Sequence, residues 1–281
     1  MSHKNKPTLI DQSKECLQSV LKIGEKKHAY KDDDDTYKKY IFSWNTYHEY
    51  LKHSIYFTNY CHHEHGCKTL EECRQYVDEW LTLRSELSPY TVKLEANALA
   101  KLYGCSTTDF IKTPDRKRAD ITRSRGEAER DKHFSEARNS EFVSFCRSTG
   151  LRRHEIENLH GTDLVKDGDR YYIHVRKGKG GKERYALVIG DVENVVSLMT
   201  AAGDGKVFKR VPEADIHGYR REYAQAYYDM IARPLETLSH DEKYFCRQDK
   251  RGIVYDRRAM LIVSRSLGHN RIDVIANNYL D

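Results

Sequence analysis

The stretch "YYIHVRKGKGGKERYALVIG", from Tyr171 to Gly190, decides which fold the second half of the chain can adopt. Tyr171, Ile173 and Val175 alternate with residues of the opposite face before a glycine-containing turn. After the turn a second segment alternates in the same way. Alternation on both sides of glycines predicts a β-hairpin. The surrounding segments show helical spacing, so we predict a mainly α fold that carries a small β-hairpin or sheet.

The chain before residue 113 shows only helical patterns. Four helices are predicted, near residues 9–25 and 36–60 and from Thr69 and Ser88 onward. Thr69 and Glu72 have the spacing of a capping box, and Ser88-Pro89 supplies a cap and a first-turn proline. Helices of this size form a small bundle, so residues 1–112 are predicted to be a separate helical domain.

Residues 113–132 separate this bundle from a second predicted domain, residues 133–281. The segment is basic, contains glycine and is poor in apolar residues, which is typical of an interdomain linker. A second basic run covers the tip of the hairpin. Positive charge beside structured segments favours contact with phosphates. The predicted contacts are Arg116, Lys117, Arg118, Arg123 and Arg125 in the linker, and Lys177, Lys182 and Arg184 on the hairpin.

The composition argues against a membrane or secreted protein. The 281 residues are 38% hydrophobic and 32% charged, with a mean hydropathy of −0.82. No apolar run approaches the length of a membrane span, and the first residues lack the apolar core of a signal peptide. Seven cysteines are an odd number, which argues against a disulfide framework. We predict a cytoplasmic protein, whose net charge of +5 only weakly favours a polyanionic partner.

Several polar residues have the spacing of a reactive site, but each also has an ordinary structural explanation. Arg152 and Glu155 share a helix face with apolar residues, and such residues usually form a structural ion pair. His217 and Arg220 are three residues apart on one helix face, a pattern that is most often solvent surface. His269 follows a glycine that can end a helix. Taken singly, none of these residues indicates a function.

The order of these residues is more informative. An arginine, a lysine-bearing hairpin, His-x-x-Arg, Gly-His and a tyrosine follow one another, and the sequence closes with "LGHNRIDVIANNYLD". This arrangement resembles the tyrosine recombinase superfamily, which includes the integrases of phages and conjugative transposons. The resemblance covers roughly residues 133–281, and "SPYTVKLEANALAKLYG" resembles the core-binding domain of such integrases. It implies an N-terminal helical core-binding bundle followed by an α+β catalytic domain.

The resemblance also implies a mechanism. In this family a tyrosine oxygen attacks a phosphodiester, which leaves a 3'-phosphotyrosyl bond and a free 5'-hydroxyl. By position, Tyr279 is the nucleophile, and Arg152 and Arg220 bind the non-bridging phosphate oxygens. The lysine that protonates the departing oxygen matches Lys179, the first lysine of "GKGGKER".

Two histidines complete the implied catalytic set. His217 matches a general base or phosphate-orienting residue, and His269 matches a residue that hydrogen-bonds the scissile phosphate. Because the phosphotyrosyl bond keeps the energy of the broken ester, no cofactor or metal ion is expected. The implied partners are double-stranded DNA with specific recombination sites, further copies of the chain in a tetrameric synapse, and an accessory directionality protein. The implied function is integration or excision of a mobile genetic element in a bacterial cell.

Two other functions would use the same scaffold. A type IB topoisomerase would apply the same chemistry to supercoiled DNA without a specific recombination site. A non-catalytic DNA-binding protein would bind a site without becoming covalently attached to it.

The sequence departs from the family pattern in three places. No N-terminal arm-site domain is visible, and a polar insertion runs from about Pro234 to Tyr255. Only Leu280 and Asp281 follow the tyrosine, so we expect Tyr279 to lie on a loosely held segment.

Two stretches suggest metal binding but are better explained as polar loops. "CHHEHGCKTLEEC", from Cys61 to Cys73, is rich in cysteine and histidine, but its spacing matches no standard zinc pattern. We expect it to be a loop between two helices. The acidic run "KDDDD", from Lys31 to Asp35, is expected to be solvated. No metal site is therefore predicted.

Overall fold

The computed structural model describes residues 6–30, 36–116, 134–247 and 250–280. The chain divides into two units, Met1–Thr122 and Arg123–Asp281. The predicted linker lies mostly outside the described residues, so its boundaries stay a prediction. Also outside them are the acidic run at 31–35 and four predicted contact residues, Lys117, Arg118, Arg123 and Arg125.

In the described part of the first unit, the regular elements are helices joined by turns and irregular segments. Its helices are α1 (Leu9–Ser19), α2 (Trp44–His65), α3 (Leu70–Cys73), α4 (Val77–Leu83) and α5 (Pro89–Leu102). Helix α1 ends earlier and α2 begins later than predicted. Between them, Leu21 and Ile41 form a parallel bridge, in which the Lys22 amide donates to the Ile41 carbonyl at 2.8 Å. Backbone groups committed to this bridge cannot also continue a helix.

The two helix starts marked in the sequence are confirmed. The Thr69 hydroxyl accepts from the Glu72 amide while the Glu72 carboxylate accepts from the Thr69 amide, which completes a capping box. Ser88 caps α5. Helices α2 and α5 pack against each other, and Phe57 and Leu99 are completely buried in the core of this unit.

The cysteine- and histidine-rich stretch differs from the prediction. Its first residues, Cys61–His65, form the end of α2 rather than a loop. The helix continues because Cys61 lies on its buried face, and Gly66 ends it with a φ of +67°. Cys67 and Cys73 are also buried in this core. Within the described ranges, no group of three or more His, Cys, Asp or Glu side chains could hold a metal ion.

The second unit combines helices with a three-stranded antiparallel sheet. The helices are α6 (Ser140–Thr149), α7 (Arg153–Glu157), α8 (Val192–Ala202), α9 (Ile216–Ile231), α10 (Arg257–Ser266) and α11 (Asp273–Asn278). The strands are β1 (Leu164–Asp167), β2 (Arg170–Val175) and β3 (Arg184–Leu187), in the order β1-β2-β3. The predicted hairpin is confirmed, with Ile173 opposite Ala186. Strand β1 was not predicted, because its residues do not alternate: two partly buried apolar residues are followed by two exposed charged ones.

These elements confirm the predicted fold class, a mainly α protein with a small sheet. As for the membrane, none of the described helices is both long and apolar enough to cross a bilayer.

The polar insertion after Pro234 forms a second hairpin. Strands β4 (Lys243–Phe245) and β5 (Val254–Asp256) pair antiparallel. Arg233 donates to the Asp256 carboxylate at 2.9 Å and to Glu242 at 2.6 Å. Asp256 also caps α10 by accepting from the Arg258 amide at 2.9 Å. The hydrogen bonds from the Arg233 side chain, and from the backbone amides of Arg233, Arg258 and Ala259, hold the pKa of the buried Asp256 well below its usual range. The insertion is therefore fixed to the start of α10.

Candidate active site

The hydroxyl of Tyr279 lies between two side chains of the second unit. Arg220 Nε donates to it over 3.2 Å, and His269 Nε2 lies 3.2 Å from the same oxygen. The guanidinium carbon of Arg220 is 5.7 Å from the centre of the tyrosine ring. Three of the predicted catalytic residues therefore meet at one oxygen atom.

Backbone carbonyls hold Arg220 inside the protein. The residue lies on α9 with its side chain completely buried. Its Nη2 donates to the Leu267 carbonyl at 2.6 Å, and its Nη1 donates to the Gly150 carbonyl. Burial is the main reason that the pKa of Arg220 falls to about 10, and the positive charge of Arg152 adds to it. Arg220 therefore stays protonated at neutral pH and supplies a fixed positive charge.

Arg152 reaches the same carbonyl from the start of α7. The sequence suggested a position within the helix, but the structure places Arg152 just before it, with extended backbone. Its Nη2 donates to the Leu267 carbonyl at 3.1 Å, and its Nη1 donates to Glu155 at 2.9 Å. Two guanidinium groups thus converge on one backbone oxygen, although their charges repel. Such an arrangement is suited to binding an oxyanion between the two forks.

His269 is neutral in this environment. It follows Gly268, whose φ of +72° ends α10, and its amide donates to the Ser264 carbonyl at 2.8 Å. Burial, followed by the positive charges of Arg220 and Arg152, lowers the pKa of His269 to about 4. A neutral imidazole has one nitrogen that accepts a hydrogen bond. Because Arg220 donates to the Tyr279 oxygen, the tyrosine hydroxyl can direct its own proton to that nitrogen.

The segment that carries Tyr279 is packed against the protein, so the expectation of a loosely held end is wrong. The Tyr279 amide donates to the Ile275 carbonyl at 2.9 Å, which closes α11. Leu280 is 1% exposed and Ile275 is completely buried in the same core. Lys250 donates to the carbonyl oxygens of Ala276, at 2.9 Å, and of Leu280. Tyr279 itself is partly buried against this core.

The hairpin lysines lie near this site. Lys177, Lys179 and Lys182 are all exposed around the tip between β2 and β3. Lys182 donates to the Asn270 side chain, one residue after His269. The charge of Lys179 is among those that lower the pKa of His269. The choice of Lys179 as the acid stays a prediction.

The predicted role of Arg184 as a DNA contact requires a correction. Its side chain is only 7% exposed, and it donates to both oxygens of Glu155 at 2.8 Å. Its Nε donates to the Ser266 carbonyl at 2.7 Å. A guanidinium that is buried and held by protein acceptors is not placed to contact DNA. Arg184 is therefore an internal partner of Glu155 rather than the predicted DNA contact.

Two other predicted site residues, His217 and Arg116, lie at the protein surface. His217 lies in the first turn of α9 with an exposed side chain, three residues before Arg220. Arg116 is exposed in the first unit, with its guanidinium carbon 5.5 Å from the ring centre of Tyr90. The catalytic role of His217 and the DNA contact of Arg116 both stay predictions.

Two backbone carbonyls that hold the arginines could not be predicted from the sequence. Leu267 accepts from Arg152 and Arg220, and Gly150 accepts from Arg220. Every residue has such an oxygen, so residue type carries no signal. Gly150 itself could have been noticed, because it ends α6 with a φ of +60° just before Arg152.

No family model and no curated protein sequence matches this chain. Among solved structures, it is similar to the XerH site-specific recombinase bound to its difH substrate in a pre-cleavage complex. The two share a TM-score of 0.53 and 14% identity over 99% of this chain and 96% of that one. The chain has the tyrosine recombinase fold. A post-cleavage XerH complex with palindromic difH gives the same TM-score, 0.53, and the same identity, 14%, over 97% of this chain and 91% of that one. The resemblance found in the sequence is therefore confirmed at the level of the fold.

Proposed function

We propose that the chain is a site-specific DNA recombinase, which cleaves and rejoins strands through a 3'-phosphotyrosyl intermediate on Tyr279. The observation that carries the proposal is the position of the Tyr279 hydroxyl, 3.2 Å from both Arg220 Nε and His269 Nε2. A free phenol has a pKa of about 10 and is a poor nucleophile at neutral pH. A cation that donates to its oxygen and a neutral base that accepts its proton together make it reactive.

These contacts support the following strand-cleavage step. The Tyr279 oxygen forms a bond to the scissile phosphorus as its proton passes to the neutral imidazole of His269, and the bond from phosphorus to the 5' oxygen breaks. Negative charge grows on the non-bridging oxygens, where Arg152 and Arg220 would stabilise it. Their hydrogen bonds to the Leu267 carbonyl orient both guanidinium groups before DNA binds. Rejoining is the same step in reverse.

The departing 5' oxygen needs a proton, and Lys179 is proposed to donate it. The hairpin tip is exposed, and the charge of Lys179 acts on His269. A lysine ammonium is a compact donor that can reach the leaving oxygen once DNA lies over the site. His217 is proposed to orient the phosphate from the same helix as Arg220.

The proposed partner is double-stranded DNA that carries a specific site. The XerH structures are complexes with a DNA substrate, before and after cleavage. By analogy, several copies of the chain would act in a tetrameric synapse that integrates or excises a mobile element, with an accessory protein setting the direction. The exposed lysines Lys177 and Lys182 would contact the DNA backbone.

A covalent-trapping experiment tests the proposal. The wild-type chain is incubated with nicked suicide substrates taken from the ends of the element, and protein-DNA adducts are separated on a denaturing gel. We expect an adduct with wild type. Tyr279→Phe removes one oxygen, so the adduct should disappear while DNA affinity stays nearly unchanged. Tyr244→Phe is the matched control, because Tyr244 is a partly buried tyrosine outside the site, and it should form the adduct normally.

Other outcomes point to the other functions. Peptide mapping that finds DNA on any tyrosine but Tyr279 overturns the proposed mechanism. Relaxation of supercoiled plasmids without a recombination site would indicate a topoisomerase. Specific binding with no adduct from the wild type would indicate a non-catalytic DNA-binding protein.

A further inference from the structure

We infer that Arg184 is a positioning residue of this site. Its buried guanidinium fixes the Glu155 carboxylate and the turn after α10, and so holds Arg152 and His269 ready for the scissile phosphate. The inference rests on the proposed function, because the geometry is argued for that reaction.

The first connection runs through Glu155. One carboxylate oxygen accepts from Arg152 Nη1 at 2.9 Å and from Arg184 Nη1 at 2.8 Å. The other oxygen accepts from the Arg152 amide and from Arg184 Nη2, both at 2.8 Å. Only 1% of the Glu155 side chain is exposed. The carboxylate therefore holds Arg152 by backbone and side chain while Arg184 holds the carboxylate.

The second connection runs to the turn that carries His269. Arg184 Nε donates to the Ser266 carbonyl at 2.7 Å, one residue before the carbonyl that Arg152 and Arg220 share. A methyl group on Gly268 would lie 3.0 Å from Arg184 Cδ, so the turn packs directly on the arginine. Neighbouring carbonyls of one turn thus accept from a structural arginine and from the two catalytic ones.

The third connection runs to the hairpin tip. A methyl group on Gly178 would lie 2.9 Å from Arg184 Nη1 and 2.8 Å from the Lys182 carbonyl. The Gly178 amide donates to that carbonyl at 2.7 Å and closes the loop that holds Lys179. The base of the loop therefore rests on Arg184, and a change in this side chain would also move the proposed acid.

Arg184 holds the Glu155 carboxylate through its charge as well as its shape. Burial alone would raise the pKa of Glu155, but the hydrogen bonds and charges of Arg184 and Arg152 lower it to about 2. Without Arg184 the carboxyl would keep its burial and lose its main partner, so its pKa would rise. A protonated Glu155 would hold Arg152 less firmly. An arginine can bridge both carboxylate oxygens with a planar fork, which a lysine cannot do.

The test compares Arg184→Met and Arg184→Lys with wild type. Arg170→Met is the matched control, because Arg170 is an exposed arginine on the same sheet. One readout needs no DNA: carbon-13 NMR titration of the Glu155 carboxyl, whose pKa should rise by about 1–3 units in Arg184→Met. The other is single-turnover adduct formation on a nicked suicide substrate, together with DNA affinity. Arg184→Met should slow adduct formation by roughly 100-fold with unchanged affinity, Arg184→Lys should restore part of the rate, and Arg170→Met should match wild type.

Several results would overturn the inference. These are an unchanged Glu155 pKa, a wild-type rate in Arg184→Met, or a loss that lies entirely in DNA affinity. If Arg184→Met does not fold, Arg184→Lys decides through the same two readouts, with a smaller slowing expected. If wild type itself forms no adduct, the proposed function fails, while the titration still shows whether Arg184 holds the carboxylate.

Discussion

His269 lies close to three arginines and is partly buried beside Tyr279. Burial and these positive charges lower its pKa to about 4, so it is neutral where an unperturbed histidine would begin to titrate. The proton balance between folded and unfolded chains then makes stability depend on pH. The folded pKa is the lower one, so His269 contributes stability above pH 6.5. That contribution is lost as the pH falls from about 6.5 towards 4.

A comparison of wild type with His269→Gln measures this contribution. The unfolding free energy of wild type should fall more steeply between pH 7 and pH 5 than that of His269→Gln, because glutamine cannot bind the proton. Urea denaturation at several pH values in this range provides the data. Glu155 does not interfere, because its contribution is lost mainly as the pH falls from about 4.5 towards 2 and is present in both proteins. Equal slopes for the two proteins would show that His269 titrates normally.

At the scale of elements, the C-terminal end of α6 positions Arg220. Gly150 has a φ of +60°, and a methyl group there would lie 2.3 Å from the Tyr223 ring. That ring is fixed, because the Tyr223 hydroxyl donates to the Leu187 carbonyl at 2.7 Å and lies 2.9 Å from the Ser266 hydroxyl. The glycine is thus required both by the backbone and by the packing.

Gly150→Ala should therefore destabilise the second unit more than an alanine at a similar but open turn. Gly168 is the matched control, with a φ of +56° and no atom within 4 Å of an added methyl group. Gly168→Ala should cost about 1–2 kcal/mol from backbone strain alone, and Gly150→Ala should cost more because it also overlaps Tyr223. Urea denaturation of both variants gives the two values. Equal costs would mean that the Tyr223 ring can move aside.

The hairpin between β2 and β3 carries the proposed acid. Lys179→Ala should slow cleavage of an ordinary 5'-oxygen leaving group strongly, by roughly 100- to 10,000-fold. A 5'-thio leaving group hardly needs protonation and should restore much of the rate. Lys182→Ala is the control, because Lys182 is exposed on the same loop and donates a hydrogen bond to the Asn270 side chain. Thio rescue of Lys182→Ala instead of Lys179→Ala would reassign the acid.

At the scale of the whole molecule, the net charge of +5 is small, so DNA affinity depends on where the cations lie. Phosphate contacts release counterions, and log affinity should fall linearly with log salt concentration. Lys177→Ala should flatten this slope by about one unit if Lys177 contacts a phosphate. Arg184→Met should leave the slope unchanged, because Arg184 is held inside the protein. Fluorescence anisotropy from low to physiological salt measures both slopes, and an affinity that does not depend on salt would contradict the phosphate contacts.

The sequence by itself determined the features that depend on neighbours along the chain. The capping box at Thr69, the proline start of α5 and the pairing of β2 with β3 all follow from local hydrogen bonds and side-chain alternation. The order of arginine, hairpin lysine, histidine and tyrosine was also sufficient to identify the recombinase fold. The strand-cleavage reaction of this family restricts which residue types can occupy these positions.

Only the tertiary structure decided how those residues meet. Arg152 binds a carbonyl 115 residues away and Arg220 one 70 residues away, and no local pattern records such distances. The same holds for the burial of Arg184 and for the packing of Leu280 beside the tyrosine. A charged run and a chain end both look solvated in a sequence. Whether such segments are solvated depends on which distant carboxylate or apolar core the fold brings next to them.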